Sequence, residues 1–312
     1  MSRPTLFIRW QPLWWAWLVI LTLVSTPLTA KPQRTAGTTY RPAPVIWQED
    51  RSGLCVTAWV NDAGPFTFVL DTGAGLTLLS PRTAARAGVR ETGRTLRLQG
   101  TGAGAGHMHR LVTARTLALG QRNNRLPRIG RLVVVETLPP DVDGILDPTE
   151  VFGDTGYELD FPNRTLAPLT PQPARGGTVV RWLPEAGGKR PFVALNGREP
   201  ALIDTGSGFG LAIPASKAAA FGIQPEVPVA TRRLRDITGR TLQVTRVSPV
   251  SVRLEPLYLE RIPTDLLHGT DPATPLLLGR DALRPFHIAF DPRQRRLIFF
   301  LPATPQPLVG RD

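Results

Sequence analysis

Phe66-Thr67-Phe68-Val69-Leu70-Asp71-Thr72-Gly73 and, 133 residues further on, Ala201-Leu202-Ile203-Asp204-Thr205-Gly206 each run an apolar strand into an Asp-Thr-Gly turn. The surroundings match as well. Val56-Thr57-Ala58-Trp59-Val60-Asn61, the turn Asp62-Ala63-Gly64-Pro65 and the strand into Asp71 parallel Phe192-Val193-Ala194-Leu195-Asn196, the turn Gly197-Arg198-Glu199-Pro200 and the strand into Asp204. Alternation and turn residues predict a β-hairpin in each copy. Downstream, Leu78–Gly88 and Leu211–Gly222 share a Pro near the start, an Ala-rich interior and a closing Gly, which predicts one short helix each.

The ends of the two halves also correspond. Asp143-Gly144-Ile145-Leu146 followed by Glu158–Leu166 parallels Leu277–Asp281 followed by Ile288–Pro292 and Leu297–Phe300. Two similar β-rich lobes are therefore expected at residues 45–168 and 179–301, joined by a Pro/Gly linker at 169–178. Residues 31–44 and 302–312 read as Pro-rich extended segments.

Composition agrees with an all-β reading: 32 Pro and 29 Gly in 312 residues favour many turns and short strands. The formal net charge of +12 is almost wholly arginine, since Lys occurs only at Lys31, Lys189 and Lys217. These arginines are scattered, with no long run and no basic helix stripe, so the surface is expected to be solvated rather than a nucleic-acid footprint. At the N-terminus, Arg3 and Arg9 precede the apolar run Leu13–Val24 and the small-residue stretch Ser25–Ala30. Residues 1–30 thus read as a secretory signal or a retained anchor, with residues 10–30 as the tether in the second case. Export to the periplasm or the outer face of the inner membrane is the expectation. Cys55 is the single cysteine, which excludes an internal disulfide, and its strand context reads as a structural thiol.

The paired turns suggest a chemistry. Two carboxyls held a few ångströms apart cannot both ionise easily, so they share a proton and split into base and acid. One takes a proton from water while the other hydrogen-bonds the scissile carbonyl, with no metal and no cofactor. Asp71 and Asp204 are the candidate carboxyls. Thr72 and Thr205 could bond across to the opposite lobe, and Gly73 and Gly206 allow close backbone approach. Ser207 follows one turn where Ala74 follows the other. A Ser207 hydroxyl donated to Asp204 favours its ionised form, so Asp204 is expected to hold the charge and Asp71 the proton.

Leu70–Ala74 and Ile203–Ser207, together with Leu277-Leu278-Gly279-Arg280-Asp281, resemble retropepsin-like aspartic proteases. The resemblance covers most of residues 50–300 in tandem, as though the family's dimer were fused end to end in one chain. It implies an all-β fold of two lobes related by a pseudo-twofold axis, one Asp from each lobe in the cleft, and cleavage of a peptide or protein substrate by a monomer. A two-lobed pepsin-like enzyme is the near alternative, but it would carry a Tyr on its first flap, and Tyr40, Tyr157 and Tyr258 all lie outside residues 90–125. One departure stands at Ile145-Leu146-Asp147-Pro148, where the family has Gly after two apolar residues. Either Asp147 is a local variant there or Gly144 fills the place in a shifted register.

Gly100–Gly106 fits a phosphate-cradling pattern, but alternation rather than a helical period follows it at Leu111–Leu117. A mobile hairpin over the cleft is preferred, with Gly102, Gly104 and Gly106 at its turn and Gly239 in the counterpart of the second half. His107 and His109 lack a third ligand nearby in sequence, so no metal is expected. The reading is an aspartic endopeptidase. A peptide-binding module that kept the fold and lost turnover is the alternative, and a nucleotide-binding protein is a third that requires the Gly100–Gly106 segment to open a helix.

Overall fold

The computed structural model describes residues 41–101, 106–170, 176–183, 189–224, 229–236, 238–271 and 273–301. The expected signal or anchor, part of the linker, the tail from 302, and Gly102 and Gly104 of the first hairpin turn lie outside them. No helix among the described residues is long and apolar enough to cross a membrane.

The fold is all-β, and the helices among the described residues are short. In the first half, Gly53–Val60 and Ala63–Leu70 form the expected hairpin. Its turn sits at Asn61 and Asp62, both left-handed (φ 49° and 64°), because short polar side chains tolerate that region. Ala63–Leu70 then runs parallel to Gly144–Leu146 with Leu70 opposite Leu146, and Gly144–Leu146 pairs antiparallel with Thr77–Leu79 on its other side. The second half repeats the pattern. Phe192–Leu195 pairs with Glu199–Asp204, which runs parallel to Leu276–Gly279 with Ile203 opposite Leu278, and Leu276–Gly279 pairs antiparallel with Leu211–Pro214. In both, a strand from the end of the half is inserted beside the Asp-bearing strand. Near-continuous burial of these strands reflects cover on both faces (all three residues of Thr77–Leu79 and all four of Leu276–Gly279 are buried).

A six-stranded sheet draws on both halves, in the order Val45–Ile46, Thr165–Pro168, Tyr157–Asp160, His287–Asp291, Arg296–Phe300, Thr178–Arg181. At its centre Tyr157 pairs with Phe290, and their rings stack at 4.4 Å. Beside them His287 Nε2 meets Glu158 Oε2 at 3.0 Å. Burial opposes the charge of Glu158, but the bonds from His287 and the Thr170 N–H overcome it and lower its pKa to about 2. The main hydrophobic cluster likewise joins Phe66, Phe68 and Leu70 to Ile203, Leu278 and Phe290.

Of the two predicted helices, the first is α1 (Pro81–Arg86), capped by Ser80 Oγ accepting from Thr83 N at 3.1 Å. The second, Ala215–Phe221, winds as a 3₁₀ helix. Pro214 stands at its cap, and a proline has no side-chain acceptor to satisfy the first N–H groups. Two further short helices, α2 (Pro148–Phe152) and α3 (Arg280–Leu283), directly follow the inserted strands.

Candidate active site

Asp71 and Asp204 emerge at the ends of corresponding strands, and the threonines after them tie the two turns together. Thr72 Oγ1 donates to Ile203 O at 2.6 Å, and Thr205 Oγ1 donates to Leu70 O at 2.9 Å. Each hydroxyl also accepts the other's backbone N–H, Thr72 N to Thr205 Oγ1 and Thr205 N to Thr72 Oγ1, both at 3.1 Å. The bonds are reciprocal to the residue, and both threonines are fully buried. Water therefore cannot substitute for any of the four.

The two glycines show why nothing larger fits. A Cβ on Gly73 would lie 3.0 Å from Asp204 Cγ, and one on Gly206 would lie 2.4 Å from Asp71 Cγ. Each turn thus packs its glycine on the other half's carboxyl, which brings the carboxyls within hydrogen-bonding reach of each other. Gly73 N donates to Asp71 Oδ1 at 2.8 Å, while Gly206 N and Ser207 N donate to Asp204 Oδ1 at 3.0 and 3.2 Å.

Burial raises the Asp71 pKa, against the pull of the Gly73 N–H, the Asp204 hydrogen bond and the Arg280 charge. Burial followed by the charge of Asp71 pushes Asp204 well above the carboxylate range. Burial and mutual repulsion disfavour two charges in the pair and favour a shared proton, with the upward push stronger on Asp204. Ser207, expected to donate its hydroxyl to Asp204, makes no such bond among the described residues. Its hydroxyl accepts from Phe209 N at 3.3 Å, and what reaches Asp204 is its backbone N–H, which any residue but proline would supply.

Arg280 is a site residue to which the sequence reading gave no role. Almost buried, its Nη1 donates to Thr205 O at 2.9 Å and Gly206 O at 3.0 Å, which fixes the second turn from beneath. Glu49, from the first half, sits 3.4 Å from Arg280 Nε and is also bonded by Arg284. An arginine inside the apolar run Leu276–Leu283 was the available signal, since guanidinium groups are rarely buried without partners.

Register resolves the departure in the first half. Leu146 lies opposite Leu70 as Leu278 lies opposite Ile203, so Asp147 occupies the place of Gly279, and Gly144 pairs with Phe68 instead. Asp147 caps α2, its Oδ1 accepting from Thr149 N at 2.8 Å, while the buried Oδ2 has no hydrogen-bond partner. Burial holds its carboxyl well above the usual range, with the charges of Asp71 and Glu150 adding to the rise.

The hairpin of Arg90–Leu98 and His107–Thr113 closes with Leu98 opposite His107, Gly106 has the Leu98 carbonyl where a Cβ would stand, and a strand rather than a helix follows it. Gly100, just past the first strand of this hairpin, meets the hairpin of Ala230–Arg235 and Thr241–Leu254, in which Gly239 adopts φ 81°. A Cβ on Gly100 would lie 2.3 Å from Asp236 Oδ2, and Thr274 Oγ1 donates to Thr101 O at 3.2 Å.

Residues 56–146 match the model of a family described as aspartyl protease. The matched span holds Asp71 and the strand Gly144–Leu146 but ends before Asp204. No curated protein matches the chain.

Proposed function

We propose that this chain is an aspartic endopeptidase in which two similar lobes, related by a pseudo-twofold axis, each contribute one carboxyl to a single site. The observation that carries the reading is the reciprocal lock of Thr72 and Thr205, because it holds Asp71 and Asp204 face to face where they must share a proton. The family match over the first half supports the same chemistry.

With the proton on Asp204, Asp71 is the base. Its carboxylate takes a proton from a water as the water oxygen attacks the peptide carbonyl, while the Asp204 hydroxyl hydrogen-bonds the carbonyl oxygen as negative charge develops there. Collapse of the tetrahedral intermediate returns a proton to the leaving amine and regenerates the pair. Arg280, through the Thr205 and Gly206 carbonyls, keeps the second turn from shifting as charge moves between the carboxyls. The two meeting hairpins cover the substrate and exclude bulk water. Export through the N-terminal segment belongs to the same proposal and places the activity outside the cytoplasm.

The test is digestion of a peptide library by the purified chain, read by mass spectrometry with and without a statine-type inhibitor. Cleavage that the inhibitor abolishes is expected. Binding of peptides with no cleavage at any pH from 3 to 8 would favour a module that kept the fold without turnover.

A further inference from the structure

Beside the dyad the two halves present different chemistry. Five residues past Asp71, Leu76 belongs to an apolar cluster with Leu78, Val133 and Val135, on which the partly buried Leu96, Leu98 and Leu111 of the first hairpin pack. Five residues past Asp204, Phe209 belongs to the corresponding cluster of the second half together with Phe192. Here both rings lie under guanidinium groups. Arg232, on the second hairpin, stands 5.4 Å from the Phe209 ring centre, and Arg190 stands 5.3 Å from that of Phe192.

These cations are held in place while still reaching solvent. Arg232 is 50% exposed and lies 3.6 Å from buried Asp265, whose carboxylate is already bonded twice at 2.9 Å by Arg246. One carboxylate faces two guanidinium groups, so a positive charge remains there. Arg190 lays its aliphatic stem on the turn of the opposite half, its Cδ 3.4 Å from where a Gly75 Cβ would be. Aromatic rings fix both arginines at little entropic cost and leave their N–H edges open to an anion.

We propose that the site selects peptides with a large apolar side chain on one side of the scissile bond, against the Leu76 cluster, and a carboxylate side chain on the other, met by Arg190 and Arg232. This rests on the peptidase reading and adds the substrate class to it.

The test uses matched fluorogenic peptides with Leu on one side of the scissile bond and Glu, Gln or Lys on the other, in both orders. A charge-assisted pair at a partly desolvated site predicts about tenfold lower kcat/KM for Gln than for Glu, with Lys lower still. Arg232→Gln should bring the Glu peptide down to the level of the Gln peptide, and Arg246 still satisfies Asp265 in that variant. Arg233→Gln, on the opposite face of the same strand, should leave the ratio unchanged. Equal cleavage of Glu and Gln peptides overturns the proposal while leaving the peptidase reading intact. An equal loss in Arg233→Gln also overturns it, since the preference would then come from the general basic surface. If no peptide is cut, fluorescence anisotropy with the full-length Asp71→Asn chain decides. Tighter binding of the Glu peptide keeps the charge selection and removes the hydrolytic reading, and equal or absent binding overturns the selection.

Discussion

Replacing Thr205 by Val keeps the shape of the side chain and deletes its hydroxyl. Two bonds are lost at once: Leu70 O loses its donor and the Thr72 N–H loses its acceptor, both in a place closed to water. Each buried group left unpaired costs about 1–3 kcal/mol, so the variant is expected to be about 2–6 kcal/mol less stable. Against a domain stability of roughly 5–15 kcal/mol, that is a large fraction. Thr205→Ser retains the hydroxyl and sacrifices only a methyl group, at about 1 kcal/mol. Urea denaturation followed by tryptophan fluorescence measures both, and peptide hydrolysis should fall with the Val variant more than its stability alone accounts for, because the carboxyls lose their alignment. The reasoning is refuted if Val costs no more than Ser.

Three other outcomes follow from the same geometry. Gly206→Ala should reduce kcat/KM more than Gly73→Ala, since the added carbon meets Asp71 Cγ at 2.4 Å in the first case and Asp204 Cγ at 3.0 Å in the second; equal losses would count against the packing described. Ser207→Ala should leave the acidic limb of the pH–rate profile where it is, because only the backbone N–H of Ser207 reaches Asp204. Asp147→Asn should stabilise the protein at pH 7. The folded state holds this carboxyl protonated well above its ordinary value, so stability is lost as pH rises from the unfolded value of 3.8 toward the folded one. The gain from Asn should therefore shrink toward pH 3, which chemical denaturation at the two pH values would measure.

Much of the site is legible in the sequence because its parts are local. Strand, Asp, Thr and Gly follow one another, and alternation marks the hairpins before each turn. What pairs with what is less legible, since a period of two assigns faces to a strand without naming its neighbour. Tyr157–Asp160 and His287–Asp291 both read as strands closing their own halves, yet they lie side by side at the centre of a sheet made from both. The role of Arg280 depends on Glu49, 231 positions away in the strand Gln48–Asp50, and was invisible for the same reason. Ser207 misled for a different reason: a hydroxyl beside a carboxylate has several acceptable partners, and here the Ser207 hydroxyl accepts from the Phe209 N–H while only its backbone N–H bonds Asp204. The place of Asp147 followed only once register was known, because sequence spacing alone allowed Gly144 to stand there.

The central claim is that Asp204 belongs to the same catalytic unit as Asp71, although the family match ends before it. The most direct test is single-turnover hydrolysis of a cleaved peptide by the Asp204→Asn chain, with folding checked by circular dichroism. The account predicts a rate at least about a thousandfold below that of the unaltered chain, comparable to the loss in Asp71→Asn, as expected of groups that act as a unit. A folded Asp204→Asn chain retaining a tenth or more of the original rate would contradict it.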